Sequence, residues 1–378
     1  MDMQSADLSE VFRESGNPMF NDNALKLGTF GTNCSNACAI TEAETTFEPT
    51  FDHNMKIARQ LEAAGWECMV PIARWRGFGG PTNFNGVNMD TFTWAAALAA
   101  STTKLQFFST THVPTLHPIV AAKMATTVDH ISKGRYGLNL VTGWFTPEME
   151  MFGRPMMEHD TRYDYADEWM TIVEALWKRN NVDFSGEFLK VQDAFSEPKP
   201  YGPAGRPVLI CAGASGKGLE FTAKYCDFNF GFMQDMEAGA AWVKKVKELA
   251  FTKYGKNLGT FTACPVVVRE TEKEAWDYYD YYVKEKGDWE ACENIATVLQ
   301  VQSQNHSAEM YQKFKERFIA GWGGFPLIGT PDQVAQGLVD LKKTNVDGVL
   351  LTMVDYNEEL PFFNERVLPL MKQAGLRK

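Results

Sequence analysis

Long apolar runs are missing from this 378-residue chain, and none approaches the roughly 18 residues that a membrane-crossing helix needs. That predicts no membrane span. The opening residues MDMQSADLSEVFRESGNPMF carry acids where a secretory leader carries bases, so the expected location is the cytoplasm. Basic charge is also short. With 37 Lys and Arg against 48 Asp and Glu, and a formal net charge of −11, the chain lacks the basic footprint that phosphate backbones demand, which excludes a nucleic-acid partner. The six histidines include no tight pair of the His-x-His kind, so a metal-dependent hydrolytic centre is not expected. The seven cysteines are too scattered for a disulfide framework, and an odd count leaves at least one free. Cys34 and Cys38 are close, but no second pair or nearby histidine joins them, and they read as loop residues.

What is present is a 44% hydrophobic composition able to bury a large core. Apolar strand-like runs alternate with amphipathic helical patterns from residue 25 almost to the end, as βα units do. Strands are predicted at Leu25 to Phe30, Cys68 to Ala73, Leu105 to Ser109, Tyr136 to Val141, Val208 to Cys211, Phe228 to Phe232, Phe261 to Val268 and Val349 to Val354. Between them Ile57, Ala58, Leu61 and Ala64 recur at helical spacing before a Gly65 stop, as do Trp169, Ile172, Val173 and Leu176. Thr330-Pro331-Asp332 is a helix start. Eight such units, with no Gly- or Pro-rich linker, predict an α/β protein of one domain, a closed (β/α)8 TIM barrel over residues 1–378 with 1–23 as an N-terminal extension. Insertions are expected after strands 4 and 7. The long connections 178–206 and 285–328 are expected to be lids or oligomer contacts.

Barrel active sites sit at the C-terminal ends of the strands. Those ends supply Arg74 and Trp75, then Thr110, Thr111 and His112, then Thr142, Gly143, Trp144 and Glu148, then Gly213, Ser215 and Gly216, and finally Asp355. His112 and His117 in THVPTLHP are either acid, base or hydrogen-bonding groups for a substrate, or packed and capping residues. CAGASGKGLEF follows a strand and opens a helix, where small residues admit an anion to backbone N–H groups and Ser215 can add a bond; a ligand-free tight turn is the alternative. It is not a Walker loop. In HDTRYDY, Arg162 can clamp a phosphate and Tyr163 can donate a hydroxyl. Thr110 and Asn139 offer neutral polar groups suited to a flavin edge or bound oxygen, unless they belong to a polar barrel layer.

RGFGG, the strand with Thr110, MATTVDHISKGRYGLNLVTGW, RYDY, ICAGASGKG and VLLTMVD together resemble the bacterial-luciferase-like flavin monooxygenases. The likeness spans roughly residues 24–375 and is greatest to the branch whose members open the uracil ring, with sulfone monooxygenases next. The resemblance implies an FMN-dependent monooxygenase that takes reduced FMN from a separate NAD(P)H-dependent flavin reductase, reacts with O2 through a flavin N5 peroxide, and oxidises or opens a small N-heterocycle or an organosulfur compound. By the same resemblance Ala73, Arg74, Asn139 and Glu148 meet the flavin, and Arg162, Tyr163, Ser215 and Gly216 surround its phosphate end. Thr110 and Asn139 hold O2, and Trp144 closes that pocket. His112 and Trp75 are candidates for the substrate pocket. A homodimer or tetramer is expected, aided by small and apolar positions in TFTWAAALAAS and IVAAKMATTV.

Overall fold

The computed structural model describes residues 7–214, 216–299 and 308–378. Eight strands alternate with helices along the chain: β1 (Lys26–Phe30), β2 (Cys68–Val70), β3 (Gln106–His112), β4 (Tyr136–Val141), β5 (Val208–Cys211), β6 (Phe228–Phe230), β7 (Gly259–Val268) and β8 (Gly348–Thr352). Each overlaps a predicted run, and β3 continues past Ser109 to include Thr110, Thr111 and His112.

The chain packs as two compact units. One holds residues up to Asn21, Asp90–Gly231 and Lys244–Thr260. In it β3 pairs with β4, β4 with β5 and β5 with β6, all parallel. The helix His159–Lys178 buries Trp169, Ile172, Val173 and Leu176 completely, the stripe that its spacing predicts, and each such side chain contributes about 1.5–3 kcal/mol. The helix Ser9–Glu14 and the turn Pro18–Phe20 precede β1. Phe12 stacks on Phe20 at 4.9 Å, and Phe20 meets Phe228 at 5.3 Å, so the N-terminal extension is fixed by aromatic packing.

The other unit holds Asp22–Met89, Phe232–Val243 and Phe261–Lys378. Here β1 pairs in parallel with β2 and with β8, and β8 with β7. First strand beside last is the pairing that closes a (β/α)8 ring. Helix ends follow the sequence signals. Thr50 caps the helix Phe51–Ala64, which stops at left-handed Gly65, and Thr330 with Gln333 forms a capping box. Buried Arg377 pairs with buried Glu67 at 2.9 Å, tying the chain end to the start of β2.

The connection 178–206 contains an antiparallel hairpin, Val182–Ser185 with Lys190–Ala194. It is fastened at its turn, because the Glu168 carboxylate accepts the backbone N–H groups of Glu187, Phe188 and Leu189 at 2.6, 3.0 and 2.9 Å. Further along, buried Asp129 accepts the N–H of Tyr201 at 2.8 Å. The connection after β7 carries the helices Trp289–Val298 and Ala308–Gly321 and a short strand, Leu327–Gly329, beside β7. Among the described residues no helix is long and apolar enough to cross a membrane.

Candidate active site

On β3, Phe107 meets Trp94 edge-on at 6.0 Å, and the Ser109 hydroxyl donates to the Thr91 carbonyl at 3.0 Å. Both partners lie on the helix Thr91–Ala100. Strand side chains alternate, so Phe108, Thr110 and His112 occupy the face turned away from that helix. Parallel register places Gly137, Asn139 and Val141 beside them. At Gly137 a Cβ would lie 2.2 Å from the Phe108 ring, so only glycine lets that ring cover β4. One pair further on, the Asn139 amide Nδ2 donates to the Thr110 hydroxyl at 3.0 Å. Thr110 is buried and Asn139 half-buried, which joins the two predicted oxygen-site residues in one polar contact.

Past β4 the chain turns through Thr142 and Gly143, whose φ of 83° suits glycine. Arg162 Nη1 donates to the Gly143 carbonyl, fastening the turn to the helix His159–Lys178. Trp144 follows, half-buried, with its ring 5.9 Å from that of Phe145. Glu148, in the short helix Thr146–Met151, has no exposed side-chain surface, and its Oε2 lies 3.6 Å from Nδ1 of the equally enclosed His112. His117 instead caps the helix Pro118–Ser132, accepting the Ile119 N–H at 3.3 Å. That is its capping alternative.

The Tyr163 hydroxyl bonds Thr142, and burial, with the Cys211 thiol adding to it, pushes the phenol up to about 12 against the opposing effects of Thr142 and Arg162. Gly218 and Gly213 serve packing. A Cβ on Gly218 would sit 2.6 Å from Tyr163 Cζ, and one on Gly213 would sit 2.1 Å from the Gly218 carbonyl oxygen. Gly216, left-handed at φ 49°, faces open space. Ser215 lies outside the described residues. Lys217 is engaged, holding both Asp164 oxygens at 2.7 Å. The Arg162 Nε is buried and has no hydrogen-bond acceptor among the described residues. These features fit an anion: a buried guanidinium N–H lacking an acceptor, a phenol, and an open glycine at a helix start.

Ala73, Arg74 and Trp75 belong to the other unit. Asn33 grips the residue before them, accepting the Ile72 N–H at 2.9 Å and donating to its carbonyl at 2.8 Å. Arg74 is buried with its guanidinium 4.6 Å over the Phe78 ring, while Ala73 is half-buried and Trp75 is 51% exposed. Asp355 is a helix cap, accepting the Asn357 N–H at 2.9 Å and the Thr46 N–H at 2.6 Å. Among the described residues no cluster of metal-ligating side chains forms. Sequence reasoning missed Asn33, the pairing of His112 with Glu148, and the Cys211–Cys226 contact beneath the Gly213 loop, where the Cys226 hydrogen bond holds the Cys211 thiol below its ordinary range. Asn33 carries no sequence signal, and thiols far apart in sequence carry none either.

The sequence profile described as luciferase-like monooxygenase matches residues 27–348. The chain belongs to this family. It is a flavin-dependent monooxygenase built on a (β/α)8 barrel. Pyrimidine monooxygenase RutA of Enterobacter cloacae subsp. cloacae is 33% identical to it over 355 residues, covering 92% of this chain and 96% of that one. Among solved structures, riboflavin lyase (RcaE) with modified FMN and substrate riboflavin superposes with a TM-score of 0.82 at 25% identity, covering 94% of this chain and 92% of the other. DmoA from Hyphomicrobium sulfonivorans does so with a TM-score of 0.83 at 19% identity, covering 94% and 89%; at that identity it speaks for the fold. For this monooxygenase, the turn Thr142–Gly143 with Arg162 and Tyr163 and the pair Thr110–Asn139 lie at the C-terminal ends of β3 and β4, where barrel enzymes place their chemistry.

Proposed function

We propose that this monooxygenase uses reduced FMN, supplied by a separate NAD(P)H-dependent flavin reductase, and O2 to oxidise or open a small N-heterocycle. The observation that carries the reading is the Asn139 to Thr110 hydrogen bond on the strand face turned away from the helices. An amide and a hydroxyl that already satisfy each other present a neutral polar edge, able to orient oxygen without supplying a charge. FMN, when bound, supplies the two electrons that activate oxygen. Arg162, Tyr163 and Gly216, with Ser215, would hold its phosphate, the Arg162 Nε finding there the acceptor that no described residue gives it. Within the unit that carries β3 and β4, Asn139 and Glu148 would meet the ring system, Trp144 would exclude water from the oxygen site, and His112 would border the substrate. The heterocycle is favoured by the pyrimidine and riboflavin named for the two relatives at 33% and 25% identity.

The test mixes the protein with chemically reduced FMN, labelled O2 and a panel containing uracil, related N-heterocycles and dimethyl sulfone, and reads product mass. Label incorporated into a heterocycle supports the reading. Label appearing only in a sulfone product would move the substrate to organosulfur compounds, and oxygenation without reduced flavin would remove the cofactor reading. The chain is further proposed to act in the cytoplasm as a homodimer or tetramer. Val120 and Ile131 of the helix Pro118–Ser132 are 46% and 40% exposed in the single chain, and a monomer mass in light scattering at micromolar concentration would refute assembly.

A further inference from the structure

Two residues beyond Thr110 on the same face of β3, His112 is 4% exposed, and its carbonyl accepts the Thr115 hydroxyl at 2.9 Å, which fixes the backbone of the turn that follows. Its Nδ1 is 3.6 Å from Oε2 of Glu148, a carboxylate with no exposed surface. A carboxylate taken fully out of water needs an opposite charge or hydrogen-bond donors; at 3.6 Å the contact is longer than a hydrogen bond, and the field of the carboxylate favours the imidazole proton on the near nitrogen, Nδ1. The other ring nitrogen, Nε2, is then the atom at which a proton can be taken up or released. This imidazole–carboxylate contact lies beside the polar edge formed by Thr110 and Asn139, on a face where β4 otherwise presents Gly137 and Val141. Within this unit, the titratable groups on the elements packed around it include Arg162 and Tyr163, which bond the turn at Thr142 and Gly143, and Cys211 on β5, beside Leu140 of β4. Glu150, on the same short helix as Glu148, is exposed.

We infer that His112 moves a proton at the oxygen site and that Glu148 is its positioning residue. The inference rests on the flavin and oxygen reading given above. Reduced FMN brings two electrons and two protons; one oxygen atom of O2 joins the substrate, the other leaves as water, and FMN returns oxidised. A proton must therefore reach the departing oxygen. His112 Nε2 donates it and recovers one from the flavin side, so the ring ends each turnover as it began. Without substrate the same balance delivers both protons to O2 and releases hydrogen peroxide.

Two measurements test this. In 15N-histidine spectra of the ligand-free protein, the His112 signal, assigned by its loss in His112→Asn, is expected in one tautomer that Glu148→Gln disturbs and Glu148→Asp largely restores. With reduced FMN and O2 as the probe, flavin reoxidation followed across neutral pH is expected to slow about 100-fold in His112→Asn, the scale of a lost proton donor. The wild-type pH dependence should flatten in that variant and shift in Glu148→Gln. FMN affinity and thermal melting are checked for each variant, and His112→Gln provides a second replacement should His112→Asn misfold. A wild-type pH profile in folded His112 variants, or a tautomer indifferent to Glu148→Gln, overturns the inference while leaving the flavin reading intact. Failure of the wild-type protein to bind reduced FMN in an anaerobic titration removes the flavin reading, and with it the site that His112 would serve.

Discussion

Replacing Thr110 with valine keeps the β-branched shape on β3 and deletes the single oxygen that accepts the Asn139 amide at 3.0 Å. Because Asn139 is half-buried rather than sealed, water can replace part of that bond. The structural cost should therefore stay near ~1 kcal/mol, below the ~3 kcal/mol of a fully sealed orphan donor. The functional cost should be larger and of a different kind. With reduced FMN, O2 and a substrate found in the labelled panel, flavin oxidation should continue while product per flavin oxidised falls at least about tenfold, or ~1.4 kcal/mol of lost selectivity for oxygen transfer. Hydrogen peroxide should make up the difference. Asn139→Ala should behave alike, and Thr110→Ser, which restores the hydroxyl, should recover most of the coupling. The assay is product by mass against flavin by absorbance, with urea denaturation reporting stability. If both folded variants keep the wild-type ratio, or if product and flavin oxidation fall together, the pair is a structural layer and takes no part in handling oxygen.

Arg162→Ala should weaken FMN by about 1.5–3 kcal/mol more than it weakens riboflavin, the scale of a charged hydrogen bond; equal losses for both ligands in a titration would remove the phosphate assignment. Burial raises the Asp129 carboxyl from 3.8 to about 6, so between those values the folded protein holds a proton that the unfolded chain has released. Stability from this group is thus lost as pH rises through that window, by up to about 3 kcal/mol. Asp129→Asn, which keeps an acceptor for the Tyr201 N–H, should be the more stable protein at pH 7.5 but not at pH 3.5 in chemical denaturation, and an identical pH dependence would refute the cause. Gly137→Ala places a methyl 2.2 Å from the Phe108 ring and should cost about 1–3 kcal/mol by overpacking, read as a lowered denaturation midpoint; a neutral result would mean that the ring moves freely.

The eight strands were legible because parallel barrel strands, buried on both faces, are written as near-continuous apolar runs. The hairpin at Val182–Ser185 and Lys190–Ala194 was not, since its short strands are mostly unburied and its turn depends on Glu168, a residue on the preceding helix. β3 looked shorter than it is because its last residues, Thr110, Thr111 and His112, are polar, and polarity at a strand end imitates a loop.

That imitation locates the site. A strand that continues in hydrogen-bonded register while its side chains turn from Phe107 and Phe108 to Thr110 and His112 keeps its backbone rigid at the point where its chemistry changes. Thr110 and Asn139 could be paired in the sequence by their polar types near two strand ends and by the family resemblance, and the parallel register then makes them neighbours in space. His112 and Glu148 could not, because Glu148 lies on the short helix Thr146–Met151 beyond the Thr142–Gly143 turn, whose Gly143 carbonyl accepts an N–H of Arg162. The proposed phosphate end and the proposed proton-handling pair thus share the Gly143 peptide unit through the Arg162 bond. An arginine substitution that frees this carbonyl should disturb the His112 tautomer as well as FMN binding, whereas Lys217→Ala, which removes only an exposed pair with Asp164, should disturb neither.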